Sequence, residues 1–299
     1  MVRILAADGM EAAAVAKLQK LGYEVVEQFY EADELAKQLA DYDVLVVRSA
    51  TKVRVPVIDA AAAAGRLKLV IRGGVGVDNI DVAYAEEQGI KVRNTPAASS
   101  NSVAELALGH MFAIARYIHI ANHTMRNGEW NKKKYEGVEL AGKTLGIVGF
   151  GRIGRALAGY AKAIGMKVVA YDPFVQAPEI VAMDELLAQA DFISLHVPAA
   201  KGESPLINAE TIAKMKDGVF LVNTSRGALV DEAALLAALD EGKIAAAALD
   251  VFAEEPTKNE ALYTHPKISL TPHIGGSTAE AQARIGDEIV EHILEMFPA

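Results

Sequence analysis

The feature that most constrains this chain is a pair of consecutive series in which short apolar runs alternate with helical patterns. In the N-terminal third, the runs at 2–6, 24–27, 44–47, 69–71 and 91–93 read as strands, with helical stretches such as 10–21 and 82–88 between them. The near-continuous apolar character of these runs fits strands covered on both faces, and strand–helix alternation builds a parallel sheet from βαβ units. A second series opens at 143, with strands expected at 144–148, 167–171, 192–195, 219–223, 246–250 and 268–270 and helices at 152–164, 184–189, 209–215 and 231–241. Six strands in that order suffice for a complete dinucleotide-binding sheet. Between the series, Pro96 in Asn94-Thr95-Pro96 biases Thr95 away from the helical region. A helical stretch over roughly 102–127 follows; as one helix it would span about 39 Å, too long for an ordinary crossover, and it reads as an inter-domain element. A last helix, about 278–297, carries Ile285, Ile289, Ile293 and Met296 near helical spacing. The Ala-rich stretches 60–64 and 245–248 read as places of close packing. The expected fold class is therefore α/β with two doubly wound parallel-sheet domains, which suits a length of 299 residues.

Composition narrows the function. The formal charge of −9 argues against a general nucleic-acid binder, which needs a basic face to displace counterions. With Cys 0, disulfides, thiolate zinc sites and cysteine nucleophiles are excluded, and no metal site is expected. Asp8, Glu11 and Lys17 interrupt any apolar signal core, and no apolar run reaches the length of a spanning helix. The expectation is a cytoplasmic protein that binds neither membrane nor nucleic acid.

Gly149-Phe150-Gly151-Arg152-Ile153-Gly154 follows the apolar run Leu145-Gly146-Ile147-Val148 and opens a helix. In that setting Gly149 permits the tight turn, Gly151 leaves room for a pyrophosphate, and Gly154 lets helix and strand pack closely. The helix N-terminus offers N–H groups and positive potential to phosphates, and Arg152 can add a charged contact. Asp172 lies at the end of the next strand, 18 residues after the last glycine. Its carboxylate suits the two adenosine ribose hydroxyls and would repel a 2′-phosphate, which favours NAD over NADP; FAD stays compatible with the glycine motif alone.

Three later strand ends present complementary groups on one sheet edge. Arg226 lies in Asn223-Thr224-Ser225-Arg226-Gly227, Glu254 and Glu255 in Asp250-Val251-Phe252-Ala253-Glu254-Glu255-Pro256, and His273 in Thr271-Pro272-His273-Ile274-Gly275-Gly276. Ligands bind at the carboxyl edge of open α/β sheets. An imidazole there can take a hydroxyl proton, a carboxylate can orient it and stabilise its charged form, and a guanidinium can grip a substrate carboxylate. The set suits reversible oxidation of a hydroxy acid.

These segments resemble the D-2-hydroxyacid dehydrogenase family, as do Val47-Arg48-Ser49-Ala50-Thr51-Lys52-Val53, Gly74-Val75-Gly76-Val77-Asp78-Asn79-Ile80-Asp81 and Asn94-Thr95-Pro96, over nearly the whole chain. The resemblance implies His273 as acid–base group, Glu255 rather than Glu254 as its partner, and Arg226 on the substrate carboxylate and carbonyl. It further implies NAD contacts from Thr224, the His196-Val197-Pro198 turn, Asp250 and Gly275, and backbone contacts from Gly74-Val75-Gly76 to the substrate carboxylate. The implied architecture is a flavodoxin-like substrate domain, 1–98 with 277–299, and a Rossmann NAD-binding domain, 99–276, closing over the substrate.

Arg48 and Arg72 end N-terminal strands, and phosphoglycerate-oxidising family members carry arginines at matching places. The implied reaction is NAD-dependent oxidation of D-3-phosphoglycerate to 3-phosphohydroxypyruvate, the entry to serine synthesis. Glyoxylate or hydroxypyruvate reduction is the nearest alternative, and an NAD-sensing corepressor the alternative of another class. Trp130-Asn131-Lys132-Lys133-Lys134-Tyr135 matches a segment that reaches the neighbouring subunit in similar enzymes. A homodimer is expected, with Lys132 or Lys133 adding positive potential at the substrate site. The chain is short enough that an appended serine-binding regulatory domain is not expected.

Overall fold

A computed structural model describes residues 1–199 and 202–299. In chain order the elements are β1 (Arg3–Ala6), α1 (Ala12–Lys20), β2 (Glu24–Glu27), α2 (Ala32–Gln38), β3 (Val44–Val47), α3 (Val55–Ala64), β4 (Leu69–Arg72), α4 (Val82–Glu87), β5 (Lys91–Asn94), α5 (Ser100–Ala115), α6 (Ile118–Arg126), β6 (Thr144–Val148), α7 (Arg152–Ala163), β7 (Lys167–Tyr171), α8 (Met183–Gln189), β8 (Phe192–Leu195), α9 (Ala209–Ala213), β9 (Val219–Asn223), α10 (Glu232–Glu241), β10 (Ile244–Leu249), α11 (Glu260–Tyr263), β11 (Ile268–Leu270) and α12 (Ala279–Met296). They form two compact units, Met1–Ser99 with Gly276–Ala299, and Ser100–Gly275. Each is a parallel α/β sheet, as the alternating pattern predicted.

In the first unit the strand order is β2-β1-β3-β4-β5. Successive strand residues feed opposite cores. Leu5, Leu45, Val47 and Val70 face one cluster with Leu35, Ile58 and Ala61 of α2 and α3. Ile4, Val44, Val46, Leu69 and Ile71 face the other, with Leu18 of α1 and Ile285, Ile289 and Ile293 of α12. α12 begins where Thr278 caps Ala281 N–H at 3.1 Å, and Gly286 lets it approach Ala14 of α1, where a Cβ would stand 2.9 Å from the alanine's.

The second unit runs β11-β10-β9-β8-β6-β7. The chain passes from β6 outward to β7, then returns to the other side of β6 with β8, so a topological switch point lies between β6 and β8. A single parallel bridge, Ala170 to Ile180, stands beside β7 where a longer sheet would carry a further strand. One face packs Leu186, Leu187, Leu235 and Leu239 of α8 and α10, the other Met111, Ile114, Leu157 and Ala161 of α5 and α7. Capping agrees with the boundaries: Asn208 and Thr211 form a reciprocal capping box at α9, Asp231 accepts from Ala233 and Ala234 N–H at α10, and Gly242 ends α10 in the left-handed region.

The long helix expected over 102–127 is instead two. The Ala115 carbonyl accepts from Val138 N–H at 3.0 Å. A side chain at Gly137 would overlap that same carbonyl. Tyr117 then takes φ 56 and stacks on Tyr135 with centroids 5.7 Å apart, which ends α5 and starts α6 in a new direction. Helical periodicity continues through the break, so the tertiary capture of one carbonyl has no sequence signal.

Candidate active site

The carboxyl ends of β9, β10 and β11 bring together the three groups expected to do chemistry. Asn223 ends β9 fully buried; its amide donates to Arg226 O at 2.8 Å, and its side-chain oxygen accepts from Ser225 N–H at 3.1 Å, shaping the turn that carries Arg226. Gly227 lies so close to the Phe252 and Ala253 backbone that no Cβ fits, which presses this turn against the loop after β10. Glu255 ends that loop's tight turn, with Oε1 accepting from Phe252 N–H at 3.1 Å.

His273 follows β11 with φ 55, a conformation rarely held by a residue with a side chain. Asp250 holds it there. The Asp250 carbonyl accepts His273 N–H at 2.8 Å, and its buried carboxylate accepts Ile274 and Gly275 N–H, both at 2.8 Å. Gly275 is needed at this point because a Cβ would stand 3.1 Å from Oδ2. His273 Nδ1 comes to 2.7 Å from Glu255 Oε2. A carboxylate only accepts, so Nδ1 carries the ring proton and Nε2 presents its lone pair. Burial by itself would raise the Glu255 carboxyl; the hydrogen bond and charge of His273, the Phe252 N–H and the charge of Arg226 outweigh it and hold the carboxyl below its ordinary value. Glu254 takes no part in this pair; it lies 3.7 Å from Lys258.

The glycine motif lies at the switch point. Gly149 has φ 96, and a Cβ there would collide with the His196 carbonyl; Gly154 is packed against the Gly149 carbonyl. Gly151 caps α7 with open space where its side chain would be, and Arg152 next to it is exposed. Ile153 turns toward the α5–α7 core. Asp172 accepts Phe150 N–H and Phe174 N–H, each at 2.9 Å, so it braces the glycine turn while keeping lone pairs on both oxygens. Across the switch point, His196 Nε2 pairs with Ser194 Oγ at 2.9 Å, and burial pushes its imidazole down to about 4. Val197 lends its carbonyl to Ser225 Oγ at 2.5 Å, and Pro198 is exposed. His196 Nδ1 and the Thr224 hydroxyl are both buried without a hydrogen-bond partner among the described residues. Two orphaned polar atoms beside a roomy helix N-terminus are what a polar ligand such as a dinucleotide would satisfy.

In the first unit, Arg48 follows β3 and Arg72 ends β4, neighbouring strands in register at Val47 and Arg72. Asp8 accepts Arg48 N–H at 2.7 Å, Thr51 N–H at 3.0 Å and the Thr51 hydroxyl at 2.6 Å. Asn79 donates to the Arg48 and Thr51 carbonyls at 2.8 and 2.7 Å, so the loop is gripped from both sides. Arg72 folds over Gly74, φ 146, in space that any side chain at 74 would fill. The Gly74 and Val75 carbonyls of the Gly74-Val75-Gly76 loop are tied to Thr95 N–H at 3.0 Å and to the Asn94 amide at 2.6 Å. Lys132 and Lys133 form part of an exposed 3₁₀ turn, Lys132–Lys134, in the second unit. Among the described residues no group of three or more His, Asp or Glu could hold a metal, and no helix is long and apolar enough to cross a membrane.

Residues 108–275 match the family described as "D-isomer specific 2-hydroxyacid dehydrogenase, NAD binding domain". The chain belongs to the D-2-hydroxyacid dehydrogenase family. It is 50% identical to the hydroxypyruvate reductase of Thermotoga maritima, over 93% of this chain and 92% of that one. It is 47% identical to the D-3-phosphoglycerate dehydrogenase of Methanocaldococcus jannaschii, over 99% of this chain but 58% of that one. Among solved structures, the NAD+-bound 3-phosphoglycerate dehydrogenase of Entamoeba histolytica superposes with a TM-score of 0.83 at 30% identity, covering 99% of this chain and 95% of that one. The matched span is thus an NAD-binding domain, and the cofactor is NAD. The glycine turn, the α7 N-terminus, Asp172, Thr224 and His196 fit it.

Sequence reading missed several polar residues: in the first unit Asp8 and Asn79 around Arg48, and in the second Asn223 under Arg226 and the buried His110 of α5. Asp8 had a usable signal, an acidic residue two positions after a buried strand. The others are polar residues inside apolar or glycine-rich surroundings, and only their partners reveal them.

Proposed function

We propose that this chain oxidises D-3-phosphoglycerate to 3-phosphohydroxypyruvate, and catalyses the reverse reduction, as an entry step to serine synthesis. The observation that carries the reading is the pair Arg48 and Arg72 on adjacent strand ends, Arg48 on a loop braced by Asp8 and Asn79 and Arg72 as the last residue of β4. Two guanidiniums at one edge suit a phosphate better than a hydroxymethyl group. Bound NAD supplies the hydride acceptor at the reacting carbon. His273 Nε2 takes the hydroxyl proton as the carbonyl forms. Glu255 keeps the ring in the required tautomer and stabilises its charged form. Arg226 grips the substrate carboxylate, with the Gly74-Val75-Gly76 backbone as a second contact. We assign the working form to a homodimer, with Lys132 and Lys133 adding positive potential to the partner's substrate site.

A second reading, hydroxypyruvate reduction, is favoured by the relative of matching length. Both share His273, Glu255 and Arg226 and differ in the use of Arg48 and Arg72. NADH absorbance with 3-phosphohydroxypyruvate and hydroxypyruvate separates them, with D-3-phosphoglycerate and D-glycerate in the reverse direction and the keto product trapped. The phosphate reading expects Arg72→Leu and Arg48→Leu to raise KM for the phosphorylated acid by about 10–100-fold, the loss of one charge-assisted contact, with little change for hydroxypyruvate. Wild-type preference for hydroxypyruvate, unaltered by either substitution, would replace it with the second reading.

A further inference from the structure

Beyond Ser100 and Ser102 in its first turn, α5 buries Val103, Ala104, Ala107, Met111, Ile114 and Ala115, and among these apolar residues it also buries a histidine. His110 is 4% exposed, with Nδ1 3.2 Å from Ser269 Oγ and Nε2 2.9 Å from Thr271 Oγ1. Thr271 Oγ1 is 2.6 Å from Asp250 Oδ1. These contacts settle every proton in the chain of groups. The Asp250 carboxylate accepts, so the Thr271 hydroxyl donates to it. With its only proton committed, Thr271 offers His110 a lone pair, and His110 Nε2 must carry the ring proton. Burial holds the His110 imidazole below its ordinary value against the opposing charge of Asp250, so the ring is neutral and Nδ1 accepts the Ser269 hydroxyl. Each partner has one role, and the line ends on the carboxylate that holds Ile274 and Gly275 and so the left-handed turn at His273.

We propose that His110 is a positioning residue for the dehydrogenase reaction: through Thr271 it orients the Asp250 carboxylate that clamps the turn presenting His273. A buried polar network of this kind is costly unless fully satisfied, and when satisfied it imposes one arrangement where apolar packing tolerates several. The apolar alternative at position 110 would fill the same space without aiming Thr271. The proposal rests on His273 being the acid–base group.

Two measurements on the full chain test it. In 15N-histidine-labelled protein, long-range 1H–15N spectra at pH 7 should show His110 as the Nε2–H tautomer; an Nδ1–H tautomer or a charged ring would overturn the proton directions. Thr271→Val should lower kcat by about 10–100-fold, the scale of a misplaced catalytic group, and shift the His273 ring signals, while the Kd for NADH stays within threefold. Thr271→Ser, which restores the hydroxyl, should recover both rate and signals. A Thr271→Val enzyme with kcat within twofold of wild type and unmoved His273 signals overturns the proposal, as does equal loss in the Ser variant. Absence of turnover in the wild type with every 2-oxo acid would instead overturn the reading of His273, and the tautomer and ring signals would still decide the positioning role.

Discussion

Glu255→Gln removes one charge and almost no volume, and the structure sets its consequence. Glu255 accepts two hydrogen bonds on two oxygens: His273 Nδ1–H at 2.7 Å and Phe252 N–H at 3.1 Å. Glutamine keeps one acceptor. If its oxygen serves Phe252, its amide donates to His273 Nδ1, and the ring flips to the tautomer that blocks Nε2. If its oxygen serves His273, Phe252 N–H loses its partner. The first arrangement retains one more hydrogen bond, worth about 1 kcal/mol, so the wrong tautomer is favoured by that amount. The imidazolium formed during oxidation also loses its countercharge. At roughly 4 Å between charge centres that attraction is about 1–2 kcal/mol, toward the aqueous limit. The weak end applies because the two side chains are 38% and 37% exposed. Together, about 2–3 kcal/mol corresponds to a loss of roughly 30–150-fold in kcat/KM. The assay is steady-state NADH turnover at pH 7.5 over a range of 2-oxo acid concentrations, beside NADH titration by fluorescence. NADH binding should be unchanged. Retention of kcat/KM within threefold, while His273→Ala is inactive, would refute the claim that Glu255 selects the tautomer.

Gly154→Ala should raise the NADH dissociation constant at least about tenfold and lower Tm, because its Cβ would overlap the Gly149 carbonyl and force α7 from the glycine turn; isothermal titration and thermal melts read both, and a variant binding NADH like wild type would show the close approach is dispensable. Acid should destabilise the fold through Asp43, Asp191 and Glu255. Burial opposes their ionisation, but Arg66 and Arg3 N–H, Thr144 N–H and Lys216, and His273 outweigh it and hold each carboxyl below its ordinary 3.8 or 4.5. Groups lowered on folding contribute stability that is complete above the unfolded values and is lost as pH falls through the folded ones. Tm should therefore begin to fall below about pH 6.5, where the unfolded chain protonates His196 and His110 while burial keeps both neutral in the fold, and fall further below about pH 4.5 as these carboxyls protonate; a Tm rising on acidification would contradict the assignment.

Most of the scaffold could be read without coordinates, for reasons visible at single positions. Residues 44–47 are apolar at every site, and 192–195 at every site but Ser194, because both faces of a central parallel strand are covered, and a run bounded by polar loops leaves little freedom in its limits. Gly149, Gly151 and Gly154 announce themselves because each spacing answers a local steric demand. His273, Glu255 and Arg226 could be placed on one edge because parallel strands put their carboxyl ends together. What the linear chain left open depends on partners distant in sequence. The break at Tyr117 follows from Val138 reaching the Ala115 carbonyl. The left-handed turn at His273 is dictated by Asp250, and the ring proton of His110 by Thr271, 161 residues away. Hydrophobic period and glycine spacing are local and survive in the sequence. The aim of a side chain and the side of a ring that bears the proton are set by which donor meets which acceptor, and only the folded chain decides that.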